Sequence, residues 1–202
     1  MVKIKICGMT NYEDAIAAVN FGADAIGFIF HQPSPRYISP NMAAQITRKL
    51  PPFVTTVGVF VKKRPKEIQE IIRVAGIDIV QLHGDESPEI CHAFKRVIKV
   101  VRVKDDNLSM LKQYLVSAFL LDTYTNTTYG GTGTSFDWDI AKKAKRFGPI
   151  ILAGGLTPEN VKEAVQKVIP YGVDVVSGVE GEIKGEKNHN KMKAFIENVR
   201  GL

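Results

Sequence analysis

Short apolar runs and helix-length amphipathic stretches alternate along the whole chain, and this alternation limits the fold more than any other feature. The apolar runs are 3–7, 25–30, 54–61, 77–82, 97–101, 118–121, 150–153 and 173–176. Each is rich in Val, Ile, Leu or Phe, as strands covered on both faces require. Between them lie stretches with helical spacing: 12–21, 40–50, 65–74, 87–94, 107–115, 137–146, 158–168 and 190–199. Asn11 and Ser39 stand where N-caps belong, and Pro40 and Pro158 repeat a cap-then-proline start. Strand-helix alternation implies a parallel sheet with right-handed crossovers. Eight such units in 202 residues predict an α/β fold, a compact (β/α)₈ TIM barrel forming one domain over residues 1–202. An open doubly wound sheet usually has fewer units and a glycine fingerprint after its first strand. The stretch 7–14, CGMTNYED, is not that fingerprint. A weak repeat agrees with the barrel: Gly22-Ala23-Asp24-Ala25-Ile26, Gly76-Ile77-Asp78-Ile79-Val80 and Gly172-Val173-Asp174-Val175-Val176 share one form at strands two, four and eight.

Composition narrows the class. Hydrophobic residues at 45% and charged residues at 24% are globular usage, not that of a disordered or collagen-like chain. No window approaches the ~18 apolar residues of a membrane helix, and the first residues lack a secretory pattern. Cys7 and Cys91 have no CxxC spacing, so neither a structural disulfide nor a zinc site is expected, and a cytoplasmic location is the default. The net charge of +6 is interspersed, with Lys62-Lys63-Arg64 its longest run. No basic stripe interleaved with aromatics suggests nucleic acid, so a small anionic ligand or simple solubility accounts for the charge.

In a barrel the reactive groups gather at the C-terminal ends of the strands. Those ends carry Lys5-Ile6-Cys7-Gly8, the loop Ser34-Pro35-Arg36-Tyr37, Gln81-Leu82-His83-Gly84, Leu121-Asp122, Ala153-Gly154-Gly155 and Ser177-Gly178-Val179-Glu180. Side chains two apart share a strand face, so Lys3, Lys5 and Cys7 point into the barrel, as do Gln81 and His83. Taken alone, Cys7 is either a small buried apolar side chain or a base. Neighbouring Lys5 favours the thiolate and is expected to move it toward a usable base near neutral pH. Cys91, on a helix without such company, reads as packing. Asp122 either caps its strand or acts as an acid. The stretch after it, with Tyr129-Gly130-Gly131-Thr132-Gly133, reads either as a loop that closes over a site or as a plain flexible loop. Gly154, Gly155, Ser177 and Gly178 occupy positions where barrels often bind phosphate through backbone N–H groups. Arg36, in a loop constrained by Pro33 and Pro35, suits bidentate capture of a carboxylate. His83 is either a hydrogen-bond donor to the ligand or a packed, orienting histidine.

These segments, together with Leu156-Thr157-Pro158-Glu159-Asn160-Val161 and Val173-Asp174-Val175-Val176, resemble the phosphoribosylanthranilate isomerase family of tryptophan biosynthesis. The resemblance runs from residue 1 to the C-terminus in motif order. It implies a cofactor-free, metal-free Amadori rearrangement of N-(5-phosphoribosyl)anthranilate to 1-(2-carboxyphenylamino)-1-deoxyribulose 5-phosphate. It puts the general base at Cys7, the general acid at Asp122, the anthranilate carboxylate near Arg36 and the phosphate near Gly154, Gly155, Ser177 and Gly178. One departure is Val176, where the family commonly has a further serine, so one side-chain phosphate contact is missing. The acid role requires Asp122 to carry a proton, so desolvation under a closed loop is expected to raise its pKa. Two other readings are a related phosphorylated-metabolite barrel (a ProFAR-type isomerase or a barrel like indole-glycerol-phosphate synthase) and a non-catalytic anion-binding barrel. The cysteine on strand one argues against the former. The expected partner is a small phosphorylated substrate, with no nucleic acid and no membrane. Assembly stays open between monomer and homodimer, with Pro51-Pro52-Phe53 a candidate contact.

Overall fold

A computed structural model describes residues 1–103, 108–123 and 138–202. Its strands are β1 (Lys3–Cys7), β2 (Ala25–Ile29), β3 (Thr55–Phe60), β4 (Ile79–Leu82), β5 (Val97–Val103), β6 (Ala118–Thr123), β7 (Ile150–Leu152) and β8 (Gly172–Val175). All are parallel and pair in chain order, and β8 returns to β1 to close the barrel. The expected barrel is therefore the observed one. Around it run α1 (Tyr12–Phe21), α2 (Pro40–Thr47), α3 (Pro65–Ala75), α4 (Pro88–Cys91), α5 (Trp138–Ala144), α6 (Val161–Val168) and α7 (His189–Arg200). Among the described residues no helix is long and apolar enough to cross a membrane.

Three helices differ from expectation. The stretch 87–94 is helical only over Pro88–Cys91. The described part of 107–115 holds a 3₁₀ turn, Ser109–Gln113, in place of an α-helix. Leu108 and Leu111 bury one turn's worth of apolar surface. Tyr114 then takes an extended backbone, and its hydroxyl donates to the Glu86 carbonyl at 3.0 Å. Helix α6 begins at Val161, not Pro158, because Asn160 Oδ1 accepts the Thr157 N–H at 2.9 Å and holds 157–160 as a turn. The other signals work as read. Asn11 Oδ1 accepts from Asp14 N–H at 2.7 Å, and Ser39 Oγ accepts from Met42 N–H at 3.3 Å.

Strand alternation divides the core in two. Ile4 and Ile6, or Phe119 and Leu121, pack outward against the helices. Val57, Ile98, Val100, Ala118, Leu120, Ile151 and Ala153 fill the barrel itself. Asp122 follows Leu120 on the inward face of β6, inside the strand and not beyond its end. The Gly-x-Asp repeat is real for only two of its three copies. Gly22 (φ 109°) and Gly76 (φ 67°) end α1 and α3 in the left-handed region. Their aspartates, Asp24 and Asp78, accept the backbone N–H of Ile4 and of Thr56 on the preceding strands. Gly172 is instead part of β8, and Asp174 points into the barrel, where it meets Lys5.

Candidate active site

Cys7, Arg36, His83, Asp122, Gly154, Gly155, Ser177 and Gly178 all line one cleft at the C-terminal mouth of the barrel. It encloses about 780 Å³, open solvent at its mouth included. Strand geometry explains the convergence, since each residue either faces inward at a strand end or lies in the loop that follows. The glycine-rich stretch 129–133 lies outside the described residues.

Cys7 is 2% exposed and sits beside Lys5, whose ammonium is 2.8 Å from Asp174 Oδ1. Lys5 and Asp174 are partners across the β1–β8 pairing and both are buried. Burial works against the Lys5 ammonium, yet Asp174 and Cys7 hold its pKa above the ordinary lysine value. Burial pushes the Cys7 thiol up; Lys5 pulls it down, Asp174 pushes it up further, and Lys187 adds a smaller downward pull. The net direction is upward. This corrects the expectation that Lys5 would bring the thiol toward neutrality: Lys5 is already matched by Asp174, so desolvation wins.

Across the cleft, His83 Nε2 lies 3.5 Å from Asp122 Oδ2. Gln81 Nε2 is 3.4 Å from His83 Nδ1. Among the described residues, Gln81 Oε1 and His83 Nε2 are buried and make no hydrogen bond, Nε2 facing only the Asp122 carboxylate at that longer distance of 3.5 Å. Among the described residues, no three His, Cys, Asp or Glu side chains cluster as metal ligands would. Arg36 is tied down. Its Nε donates to Glu180 Oε1 at 3.0 Å and its Nη2 to Glu180 Oε2 at 2.6 Å, leaving three of its five N–H donors for other acceptors. The expected carboxylate grip thus exists already, within the protein.

On the remaining wall, Gly154 (φ 73°) and Gly155 (φ 69°) are both left-handed. Asn160 Nδ2 donates to the Gly155 carbonyl at 2.8 Å. A Cβ on Gly178 would fall on the Leu156 carbonyl, so the loops after β7 and β8 touch backbone to backbone.

The family model for N-(5'-phosphoribosyl)anthranilate (PRA) isomerase matches residues 4–198. The chain belongs to the phosphoribosylanthranilate isomerase family. It is 53% identical over 203 residues to the N-(5'-phosphoribosyl)anthranilate isomerase of Geobacter sulfurreducens, covering 100% of both chains. A family crystal structure in complex with reduced 1-(o-carboxyphenylamino)-1-deoxyribulose 5-phosphate superposes with a TM-score of 0.88 at 41% identity, covering 100% of both chains. Another, of mutually generated monomers of the dimeric Thermotoga maritima enzyme, gives 0.85 at 39% identity, again covering 100% of both chains.

Within this family frame, sequence reasoning missed residues that act through others. Gly27 lies opposite Cys7 in the β1–β2 register, and a Cβ there would be 2.5 Å from Cys7 Sγ. Glycine makes room for the thiol. Asp174 carried a signal in its inward parity next to Lys5. Lys187 carried none, because it comes from a connection far along the chain. Its side chain is fully buried, with Nζ 3.4 Å from Glu180 Oε1 and 3.0 Å from the Val176 carbonyl. Burial pulls the Lys187 pKa below the usual lysine value, against Glu180 and Cys7. Burial would raise the Glu180 carboxyl, but Arg36 and Lys187 together hold it below the usual range.

Proposed function

We propose that this chain is a cytoplasmic isomerase acting on a small phosphorylated substrate, converting N-(5-phosphoribosyl)anthranilate to 1-(2-carboxyphenylamino)-1-deoxyribulose 5-phosphate. The observation that carries the reading is that Cys7 and Asp122 open into the same cleft as Arg36 and the paired glycine loops. Protonated Asp122 donates to the furanose ring oxygen while the anilino nitrogen pushes the ring open to an iminium ion. The Cys7 thiolate removes the C2 proton, giving an enolamine that tautomerises to the aminoketone. The phosphate rests on backbone N–H groups around Gly154, Gly155, Ser177 and Gly178, and Val176 offers it no hydroxyl. The unused Arg36 donors take the anthranilate carboxylate, and His83 Nε2 serves the substrate or Asp122.

Steady-state assay tests the pair. Cys7→Ala and Asp122→Asn should each lower kcat by about 10²- to 10⁴-fold, the usual worth of positioned acid-base groups. Substrate affinity should change little. Near-normal turnover in either variant removes that residue from its role. Preference for the aminoaldose of a ProFAR-type isomerase would replace the substrate and keep the fold. We also propose a homodimer, as in the Thermotoga maritima relative. Phe53, 98% exposed at the turn between α2 and β3, is the most exposed aromatic side chain among the described residues and has much to gain from an interface. Sedimentation equilibrium of the wild type and Phe53→Asp should give dimer and monomer respectively; a monomeric wild type overturns it.

A further inference from the structure

Arg36 poses an electrostatic problem. A guanidinium paired two-on-two with a carboxylate is held in orientation, but much of its attraction for a second anion is cancelled. The substrate carboxylate would then meet a neutral pair. The connection from β8 to α7 contains the remedy. Glu180 and Lys187 face each other in an isolated antiparallel bridge. Glu180 Oε1 accepts from Arg36 Nε at 3.0 Å, from Gly185 N–H at 3.2 Å and from Lys187 Nζ at 3.4 Å. The backbone N–H of Lys187 donates to Asp14 Oδ2 at 3.0 Å, which fixes the lysine to α1. The other nearby cations are engaged elsewhere: Lys5 with Asp174, and Lys191 with the Glu180 backbone carbonyl.

Burying an ammonium with no solvent contact is costly unless the charge is matched. A methionine would occupy that space without the desolvation cost, giving up the hydrogen bond to the Val176 carbonyl. What a buried lysine adds is charge: Arg36, Glu180 and Lys187 together carry one net positive charge, where Arg36 and Glu180 alone carry none. We propose that Lys187 is a positioning residue for Arg36, cancelling the charge of Glu180 so that Glu180 orients the guanidinium without quenching its attraction for the substrate carboxylate. The inference rests on the reading that Arg36 binds that carboxylate.

Two ligands separate the possibilities: the reduced carboxyphenylamino product analogue, and its phenylamino counterpart lacking the carboxylate. Calorimetry should show Lys187→Met weakening the first by about tenfold and the second by less than about twofold, the scale of one charge-pair coupling. Glu180→Gln/Lys187→Met restores the net charge on Arg36 and should recover affinity for the first ligand to within about threefold of wild type. Lys187→Gln keeps a donor for the Val176 carbonyl and should show the same selective loss if the methionine variant does not fold. Equal losses on both ligands, no loss on the carboxylate ligand, or a double variant no better than the single would overturn the role of Lys187. Arg36→Gln is the separate control. If it does not abolish discrimination between the two ligands, the Arg36 reading itself fails. If it does while Lys187→Met leaves discrimination intact, only the Lys187 inference falls.

Discussion

The sulfur of Cys7, proposed as the base, is held by what its neighbours lack. Gly27 has no side chain, and a methyl there would sit 2.5 Å from Sγ. Gly27→Ala must therefore push the thiol or the β1–β2 pairing, at about 1–3 kcal/mol for an overpacked site. The expected outcome is a folded, less stable enzyme with kcat lowered by at least about tenfold, since small misplacements of reacting groups are costly. Unchanged kcat would show that the thiol position is not critical. The second residue-scale prediction concerns pH. Burial holds Cys7 as a thiol in the free enzyme, with Lys5 only partly offsetting it. Activity that needs the thiolate should rise with pH, and kcat/KM should climb through a pKa above the ordinary cysteine value of about 8.5. A profile already flat from pH 6.5 would contradict this. Inward parity and strand-end position are local properties, so Cys7, His83 and Asp122 were legible in the sequence. Gly27 and Lys187 were not, because their roles depend on β2 lying beside β1 and on a bridge between distant loop residues.

Loops and strands divide the work at the next scale. The strands were readable because burial on both faces leaves nearly unbroken apolar runs. The 3₁₀ turn within 107–115 was not, because Tyr114 leaves the helical path and its hydroxyl donates to the Glu86 carbonyl of a different loop. The glycine wall depends on a similar long-range contact: the loops after β7 and β8 meet at Gly178 and Leu156 with no room for a Cβ. Gly178→Ala must separate them. Because that contact sets the spacing of the N–H groups proposed to hold phosphate, KM should rise about tenfold or more while kcat falls less. Inhibition by inorganic phosphate should weaken in parallel. A variant with unchanged KM and phosphate inhibition would show that this wall does not hold the phosphate.

Barrel closure joins the two ends of the chain, and Asp24 is the side chain that fastens them. Its Oδ2 accepts from the Ile4 N–H at 2.8 Å and from Arg200 Nη2 at 2.6 Å, and its Oδ1 accepts from Lys3 Nζ at 2.9 Å. Arg200, from the last helix, also donates to the Val2 and Gly22 carbonyls at 3.0 and 2.7 Å. First strand, first helix end and last helix thus meet at one carboxylate. Burial would raise the Asp24 pKa, but Lys3, the Ile4 N–H and Arg200 hold it below the usual value. The native state therefore binds the Asp24 proton more weakly than the unfolded chain does. The resulting stabilisation is present above the unfolded pKa of about 3.9 and is lost as pH falls through the lower native value. Asp24→Asn keeps an acceptor for Ile4 but removes the charge. After solvent screening of a partly exposed site, the loss should be about 1–2 kcal/mol. For a domain of this size that corresponds to a Tm lower by about 2–8 °C. Thermal denaturation of both proteins should show this gap steady from pH 5 to 7 and shrinking below about pH 4, where the wild-type carboxyl also becomes neutral. A gap undiminished at pH 3, or absent at pH 7, would mean that the fastening is steric and owes nothing to the charge.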